Sequence, residues 1–317
     1  MADFDEIRQM IEMSSVIAVS AHTSPDGDAV GACCGLAMAL KELGKDTAVI
    51  LDKYPDSFNV IPTGGLVYTN MPEGFAPDLY IALDCGDIER LGKNAEMFKA
   101  VPNTINIDHH RNNTNFAKLN YADEEASSAS ELVFRLIYGY APFNSNIAAA
   151  LYTGIIYDTG GFRHSSTSPA TMAIAAELME YDFDFSGIYN RIFFTRKLGE
   201  AKALGLAAER LETALEGKIV YTYMTLEDMS RLGVDSDDLH EITGFIKGVE
   251  GCEASMFVYE KAPNVFKVSM RSEDSIDVCA VCNAFGGGGH KKAAGCTLEG
   301  SPKEIIKIVV EEIKKQL

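Results

Sequence analysis

Five short stretches hold most of the residues in this chain that could bind a metal or move a proton, and each ends an apolar run. They are His22-Thr23-Ser24-Pro25-Asp26-Gly27-Asp28, Asp84-Cys85-Gly86-Asp87, Asp108-His109-His110, Asp158-Thr159-Gly160-Gly161 and Gly286-Gly287-Gly288-Gly289-His290. The chain has only six histidines, and four of them fall inside these stretches. Carboxylates and imidazoles gathered at the tips of buried strands suit two-metal chemistry on phosphoesters. A pair of cations roughly 3.5–4 Å apart lowers the pKa of a shared water and neutralises charge on the attacked phosphate.

His22, Asp26 and Asp28 leave one strand end together. An extended loop there lets His22 and Asp26 reach one cation and Asp28 its neighbour, with Gly27 freeing the turn. Mixed imidazole and carboxylate ligands suit Mn²⁺, with Mg²⁺ or Co²⁺ as substitutes. Asp84 follows Leu79-Tyr80-Ile81-Ala82-Leu83, where an ionised carboxylate needs compensation. A bridging place between two cations supplies it; a helix cap near Ile88 is better provided by Asp87. In Asp108-His109-His110, consecutive residues leave a strand in different directions. One imidazole can therefore bind metal while the next faces substrate, and the aspartate holds a histidine tautomer. Asp158 ends a helical stretch and supplies the remaining ligand of the second cation.

The glycine run follows a helix instead of a strand, so it is not a dinucleotide fingerprint. It reads as a close-approach loop whose free N–H groups meet an anion, with His290, Lys291 and Lys292 adding donors and charge. Arg271 ends a hairpin strand and can pair with the same anion. Cys279-x-x-Cys282 lacks a matching second pair and reads as packing residues on a helix, not a zinc site.

These residues require particular elements beneath them. Val16–Ser20, 47–51, Leu79–Leu83 and 104–107 are continuous apolar strands, separated by helices such as the one from about Ala29 to Leu43. That alternation predicts a parallel sheet covered on both faces. Gly31, Ala32, Gly35, Ala37 and Ala39 make the first of these helices thin enough to lie close on the sheet. Further helices are expected over 128–138, 146–157 and 169–181. In open α/β sheets ligands bind outside the carboxyl ends of the strands, where three of the five motifs fall. The stretch 194–216 reads as a helical connector. A second α/β pattern follows, with a hairpin from 254–259 to 265–271, a helix over 276–285 and a closing strand and helix.

Composition narrows the function. With 317 residues the chain can form two domains with sizeable cores. No apolar run reaches the roughly 18 residues a membrane span needs. The acidic start Met1-Ala2-Asp3-Phe4-Asp5-Glu6 is unlike a secretory signal, so a cytoplasmic location is expected. Seven scattered cysteines argue for a reducing compartment. A net charge of −18 disfavours general binding of long nucleic acid. A phosphate-bearing substrate is then small, held by metals and a few local cations.

In motif order the chain resembles the DHH phosphoesterases, in the branch that adds a DHHA1 domain, and within it the bacterial oligoribonucleases that also dephosphorylate 3′-phosphoadenosine 5′-phosphate (pAp). The resemblance implies a DHH catalytic domain over 1–193, a helical linker over 194–216 and a smaller α/β DHHA1 substrate-binding domain over 217–317. It implies that His22, Asp26 and Asp84 hold one Mn²⁺ and that Asp28, Asp84, His109 and Asp158 hold the other. His110 would contact the scissile phosphate with Asp108 in support. Arg271, Gly287, Gly288, Gly289 and His290 would bind the nucleotide and its terminal phosphate. The expected substrates are short RNA oligonucleotides, dinucleotides and pAp, with the C-terminal domain capping the far end of a short substrate. Cyclic di-AMP or its linear product is the alternative, and a catalytically silent nucleotide-binding regulator the remote one. A homodimer is an open option.

Overall fold

Segments that are apolar on both faces persist only as strands with helices packed above and below. The computed structural model, which describes residues 2–273 and 275–317, has such segments in the first of two units, Met1–Thr195 and Arg196–Leu317. The first unit contains α1 (Phe4–Met13), β1 (Val16–Ser20), α2 (Gly27–Glu42), β2 (Asp46–Ile50), β3 (Val67–Tyr68), β4 (Leu79–Leu83), α3 (Ala95–Ala100), β5 (Asn103–Asp108), β6 (Leu119–Ala122), α4 (Ala129–Ile137), α5 (Ser145–Asp158), α6 (Pro169–Met179) and α7 (Phe185–Phe193).

Its sheet runs β3-β2-β1-β4-β5-β6 and every neighbouring pair is parallel. Alternation along the strands feeds two cores. Ile17, Val19, Leu79, Ile81 and Leu83 join α2, α4 and α5 on one face. Ala18, Tyr80 and Ala82 join Phe98 and Val101 on the other. The strand order reverses between β1 and β4, and such a switch point opens a crevice beyond the strand tips.

The small residues of α2 serve a helix as well as the sheet. A Cβ on Gly31 would lie 2.5 Å from the Ala150 carbonyl and 2.9 Å from the Gly154 nitrogen, so α2 and α5 meet nearly backbone to backbone. The same approach brings the first turn of α2 beside the last turn of α5, since a Cβ on Gly27 would be 2.6 Å from the Tyr157 ring.

The second unit contains α8 (Leu198–Glu209), β7 (Glu212–Ala214), β8 (Ile219–Met224), α9 (Leu226–Leu232), α10 (His240–Lys247), β9 (Ala254–Ala262), β10 (Val265–Ser272), α11 (Val278–Asn283), β11 (Gly288–His290), β12 (Ala293–Glu299) and α12 (Pro302–Lys314). Its sheet runs β11-β12-β10-β9-β8-β7, antiparallel except for the β8–β9 pair. Helices α11 and α12 pack on one face and α8, α9 and α10 on the other. The helical expectation for 194–216 therefore holds only over Leu198–Glu209: α8 buries Ala203 and Ala207 against Val220 and Met224, and Glu212–Ala214 is an edge strand. No helix among the described residues is long and apolar enough to cross a membrane.

Candidate metal centre

The crevice at the switch point is where the polar residues of the first unit collect. His22 follows β1, Asp84 follows β4, and Asp108 is the last residue of β5, with His109 and His110 beyond it. Three groups of side chains there each place ligand atoms within 4.8 Å of one another: His22, Asp26 and Asp84; Asp28, His109 and Asp158; Asp84, His109 and His110. None includes a cysteine.

Asp84 lies between the first two groups. Its Oδ2 is 3.4 Å from His22 Nε2, and its Oδ1 is 3.4 Å from His109 Nε2 and 3.6 Å from His110 Nδ1. Its backbone is left-handed, with φ +51°, an uncommon conformation for a residue with a Cβ. Such strain persists where the surroundings over-determine it, often at functional sites. The residue is 3% exposed. Burial alone would raise its pKa, yet the His109 and His22 imidazoles beside it hold it below the usual carboxylate range.

The His22 loop differs from the extended form expected of it. Helix α2 starts at Gly27, two residues early, because Asp26 caps it: Asp26 Oδ1 accepts from Asp28 N–H (3.0 Å) and Ala29 N–H (3.1 Å). Asp28 is therefore a first-turn helical residue, wholly buried. Its Oδ2 accepts from Ala129 N–H (2.6 Å) and its Oδ1 from Ser130 N–H (2.9 Å), so it sits at the N-terminus of α4. Burial and Asp84 nonetheless push it up to about 7. Asp158 Oδ2 lies 3.2 Å from His109 Nε2, and burial with Asp28 pushes Asp158 up to about 9. Burial would lower His109, but Asp84 and Asp28 push it up to about 10. Protons here stand where cations would relieve the same repulsion.

The donor set fits divalent cations. His22 Nδ1 is 2.8 Å from the Thr23 carbonyl, which can only accept, so Nδ1 carries the proton and Nε2 is the nitrogen turned toward Asp84. A lone pair facing a carboxylate is favourable only with a proton or cation between them, and an imidazole tied through its other nitrogen is the usual arrangement of a metal ligand. His110 is built differently. Its Nδ1–H donates to Asp108 Oδ1 at 2.7 Å and its side chain is 33% exposed. Asp108 raises its pKa.

Residues absent from the sequence reading hold Asp108 in place. Asn113 Nδ2 donates to Asp108 Oδ2 (2.7 Å) and to Asn106 Oδ1 (2.7 Å), and Asn106 in turn donates to the Ala82 and Cys85 carbonyls. An asparagine inside the apolar run Ile105-Asn106-Ile107 was the available signal.

Arg271 and the glycine run lie in the second unit. Arg271 is the penultimate residue of β10 and half-buried, its guanidinium donating to the Met270 carbonyl. The glycine N–H groups are less free than expected. Those of Gly286 and Gly287 bond the Asn283 and Cys282 carbonyls, and Gly288–His290 pairs with β12 as an exposed edge strand. A Cβ on Gly289 would lie 2.5 Å from the Ala293 carbonyl, so glycine is needed for that pairing.

Comparison with known proteins covers most of the chain. The DHH family, N-terminal domain, matches residues 16–155, and the DHHA1 domain matches residues 216–317. The bifunctional oligoribonuclease and PAP phosphatase NrnA of Thermus thermophilus is 32% identical over 95% of this chain and 90% of its own. The cyclic-di-AMP phosphodiesterase PdeA of Listeria monocytogenes is 24% identical over 98% of this chain but 48% of its own. The crystal structure of an exopolyphosphatase-related protein from Bacteroides fragilis superposes with a TM-score of 0.87 at 26% identity, covering 98% of this chain and 95% of that one. With both domains matched in order and a 32% identical relative spanning nearly all of it, the chain belongs to the DHH family, in the branch that carries a DHHA1 domain.

Proposed function

We propose that this protein is a manganese-dependent phosphoesterase that hydrolyses short oligoribonucleotides to mononucleotides and removes the 3′-phosphate of pAp. The observation that carries this reading is the Asp84 carboxylate, one oxygen toward His22 and the other toward His109. In it, His22, Asp26 and Asp84 would hold one ion, and Asp28, Asp84, His109 and Asp158 the other. The imidazole–carboxylate mixture favours Mn²⁺ over the all-oxygen sites that suit Mg²⁺. When bound, the ions supply Lewis-acid polarisation of the phosphoryl group and a more acidic attacking water.

The chain's own residues contribute the rest. Asp108 fixes the His110 tautomer and favours its imidazolium form. Its Nε2–H can then donate to a phosphoryl oxygen as charge builds there. Arg271, Gly287, Gly288, Gly289 and His290 would take the nucleotide and its terminal phosphate. The NrnA relative supports this substrate class. Hydrolysis of cyclic di-AMP or its linear product is the second reading, supported by the PdeA relative. Its lower identity, 24% against 32%, ranks it behind. A nucleotide-binding regulator without turnover would have no use for the full set of clustered ligand atoms.

A side-by-side kcat/KM panel in Mn²⁺ tests the proposal: pAp, two- to five-nucleotide RNAs, a long RNA, linear pApA and cyclic di-AMP. Short RNAs and pAp should lead, and chelation should abolish turnover. Preference for cyclic di-AMP would move the second reading to first. No Mn²⁺-dependent hydrolysis of any member would contradict both.

A further inference from the structure

Glu131 is 0% exposed and belongs to none of the three ligand groups. Burying a carboxylate costs stability, and a packed apolar residue of similar volume often serves stability equally well. Its partners show what its charge holds together. Glu131 Oε2 accepts from Ser127 N–H (3.3 Å), Ser127 Oγ–H (2.6 Å) and Thr171 Oγ1–H (2.8 Å). The other oxygen pairs with Arg135, which also donates to Asp123 Oδ2 at 3.0 Å. Asp123 N–H in turn bonds the Asp108 carbonyl (3.0 Å).

Ser128 and Glu131 have the spacing of a capping box, and Ser128 Oγ does accept from Glu131 N–H at 3.0 Å. In a capping box the glutamate would bond the Ser128 N–H. Here it reaches one residue further, to Ser127, and across to Thr171 in the first turn of α6. One carboxylate thus ties the turn before α4 to α6 and, through Arg135 and Asp123, to the tip of β5. The next residues along, Ala129 and Ser130, donate the two N–H groups that fix the plane of the Asp28 carboxylate.

We propose that Glu131 is a positioning residue for the ion held by Asp28, His109 and Asp158, acting through the N-terminus of α4; this rests on the two-ion reading above. If α4 shifts, both donors to Asp28 shift with it, while among the described residues the hydrogen bonds of the His22 and Asp26 side chains go to Thr23, Asp28 and Ala29, none of them in α4. Loss of Glu131 should therefore weaken one ion and spare the other.

The test is Mn²⁺ titration of the full chain by calorimetry and by electron paramagnetic resonance, comparing wild type with Glu131→Gln and Thr171→Val. Glu131→Gln keeps the volume but turns an amide NH₂ toward donors. It should bind one ion as wild type does and the second about 10- to 100-fold more weakly, the usual range for losing a group that orients a ligand. The exchange-coupled two-ion spectrum should give way to that of a single ion, with turnover recovering at high Mn²⁺. Thr171→Val removes one donor and should weaken the same ion less; it decides the question if Glu131→Gln does not fold. Two ions bound as tightly as in wild type, with only a lower melting temperature, would overturn the positioning role and leave the two-ion reading standing. A wild type that binds fewer than two ions would overturn that reading, and this inference with it.

Discussion

In the N-terminal unit the polar cluster is anchored in the interior: Asp28 and Asp108 are wholly buried and His22 and Asp84 nearly so, while Asp26, His109, His110 and Asp158 are partly exposed. In the C-terminal unit Gly288, Gly289 and His290 lie exposed on an edge strand and Arg271 is half-buried. A buried cluster pays its desolvation cost during folding and is preorganised for cations, at the cost of repulsion when they are absent. An exposed set has little desolvation cost beforehand and would gain its energy only when an anion arrives. The first arrangement suits chemistry that needs fixed geometry; the second suits recognition of a phosphate on substrates of varying length. Removing a residue from the first should collapse turnover, and removing one from the second should change which substrates are preferred.

The largest effect should come from Asp84→Ala, which removes the carboxylate facing both ligand groups. Its loss in kcat should exceed the roughly 10- to 100-fold that loss of a merely supporting hydrogen bond costs. Steady-state kinetics at saturating Mn²⁺ checks this, and near-normal kcat would erase the distinction between the two regions.

Next, His109→Ala and His110→Ala should fail differently, although the residues are adjacent. His109 Nε2 is within 3.4 Å of both Asp84 and Asp158 carboxylate oxygens, so its loss should lower bound Mn²⁺. His110 spends Nδ1 on Asp108, so its loss should keep the metal and lower kcat by about 10²- to 10³-fold. Metal content by emission spectroscopy beside kcat separates them; equal losses of metal in both variants would contradict the division.

A smaller effect is expected from the exposed set. Arg271→Ala and His290→Ala should reduce kcat/KM for pAp and two- to five-nucleotide RNAs far more than for an aryl phosphodiester that lacks a distant phosphate. A length profile like that of wild type would remove substrate recognition from the second unit.

The smallest signal concerns protons. Without metal, Asp158 is pushed up to about 9 and His109 to about 10, so both carry protons near neutral pH. Cations must displace those protons, so Mn²⁺ affinity should rise with pH up to that range and fall below it. Calorimetry in two buffers of different ionisation enthalpy should detect net proton release near neutral pH, and none would contradict the repulsion described.

Much of the clustering of these polar residues was legible in the sequence because they interrupt or end apolar runs, as Asp84 does after Leu79–Leu83. The parallel sheet followed from the same runs. What escaped depended on partners distant in the chain. Glu131 reads as an ordinary helix-start residue until Thr171 is beside it. The glycines of α2 suggested a thin helix on a sheet, and only the fold shows α5 lying against them. Strand β11 escaped because glycine has little strand propensity; it forms where β12 offers an edge and side chains would not fit. The early start of α2 was hidden because Asp26 serves as cap and candidate ligand together.

The most direct measurement is anomalous diffraction at the manganese edge from crystals grown with Mn²⁺. Two peaks roughly 3.5–4 Å apart are expected on either side of the Asp84 carboxylate, one reached by His22 and Asp26, the other by Asp28, His109 and Asp158. A single peak, or two that do not share Asp84, would contradict the two-ion centre.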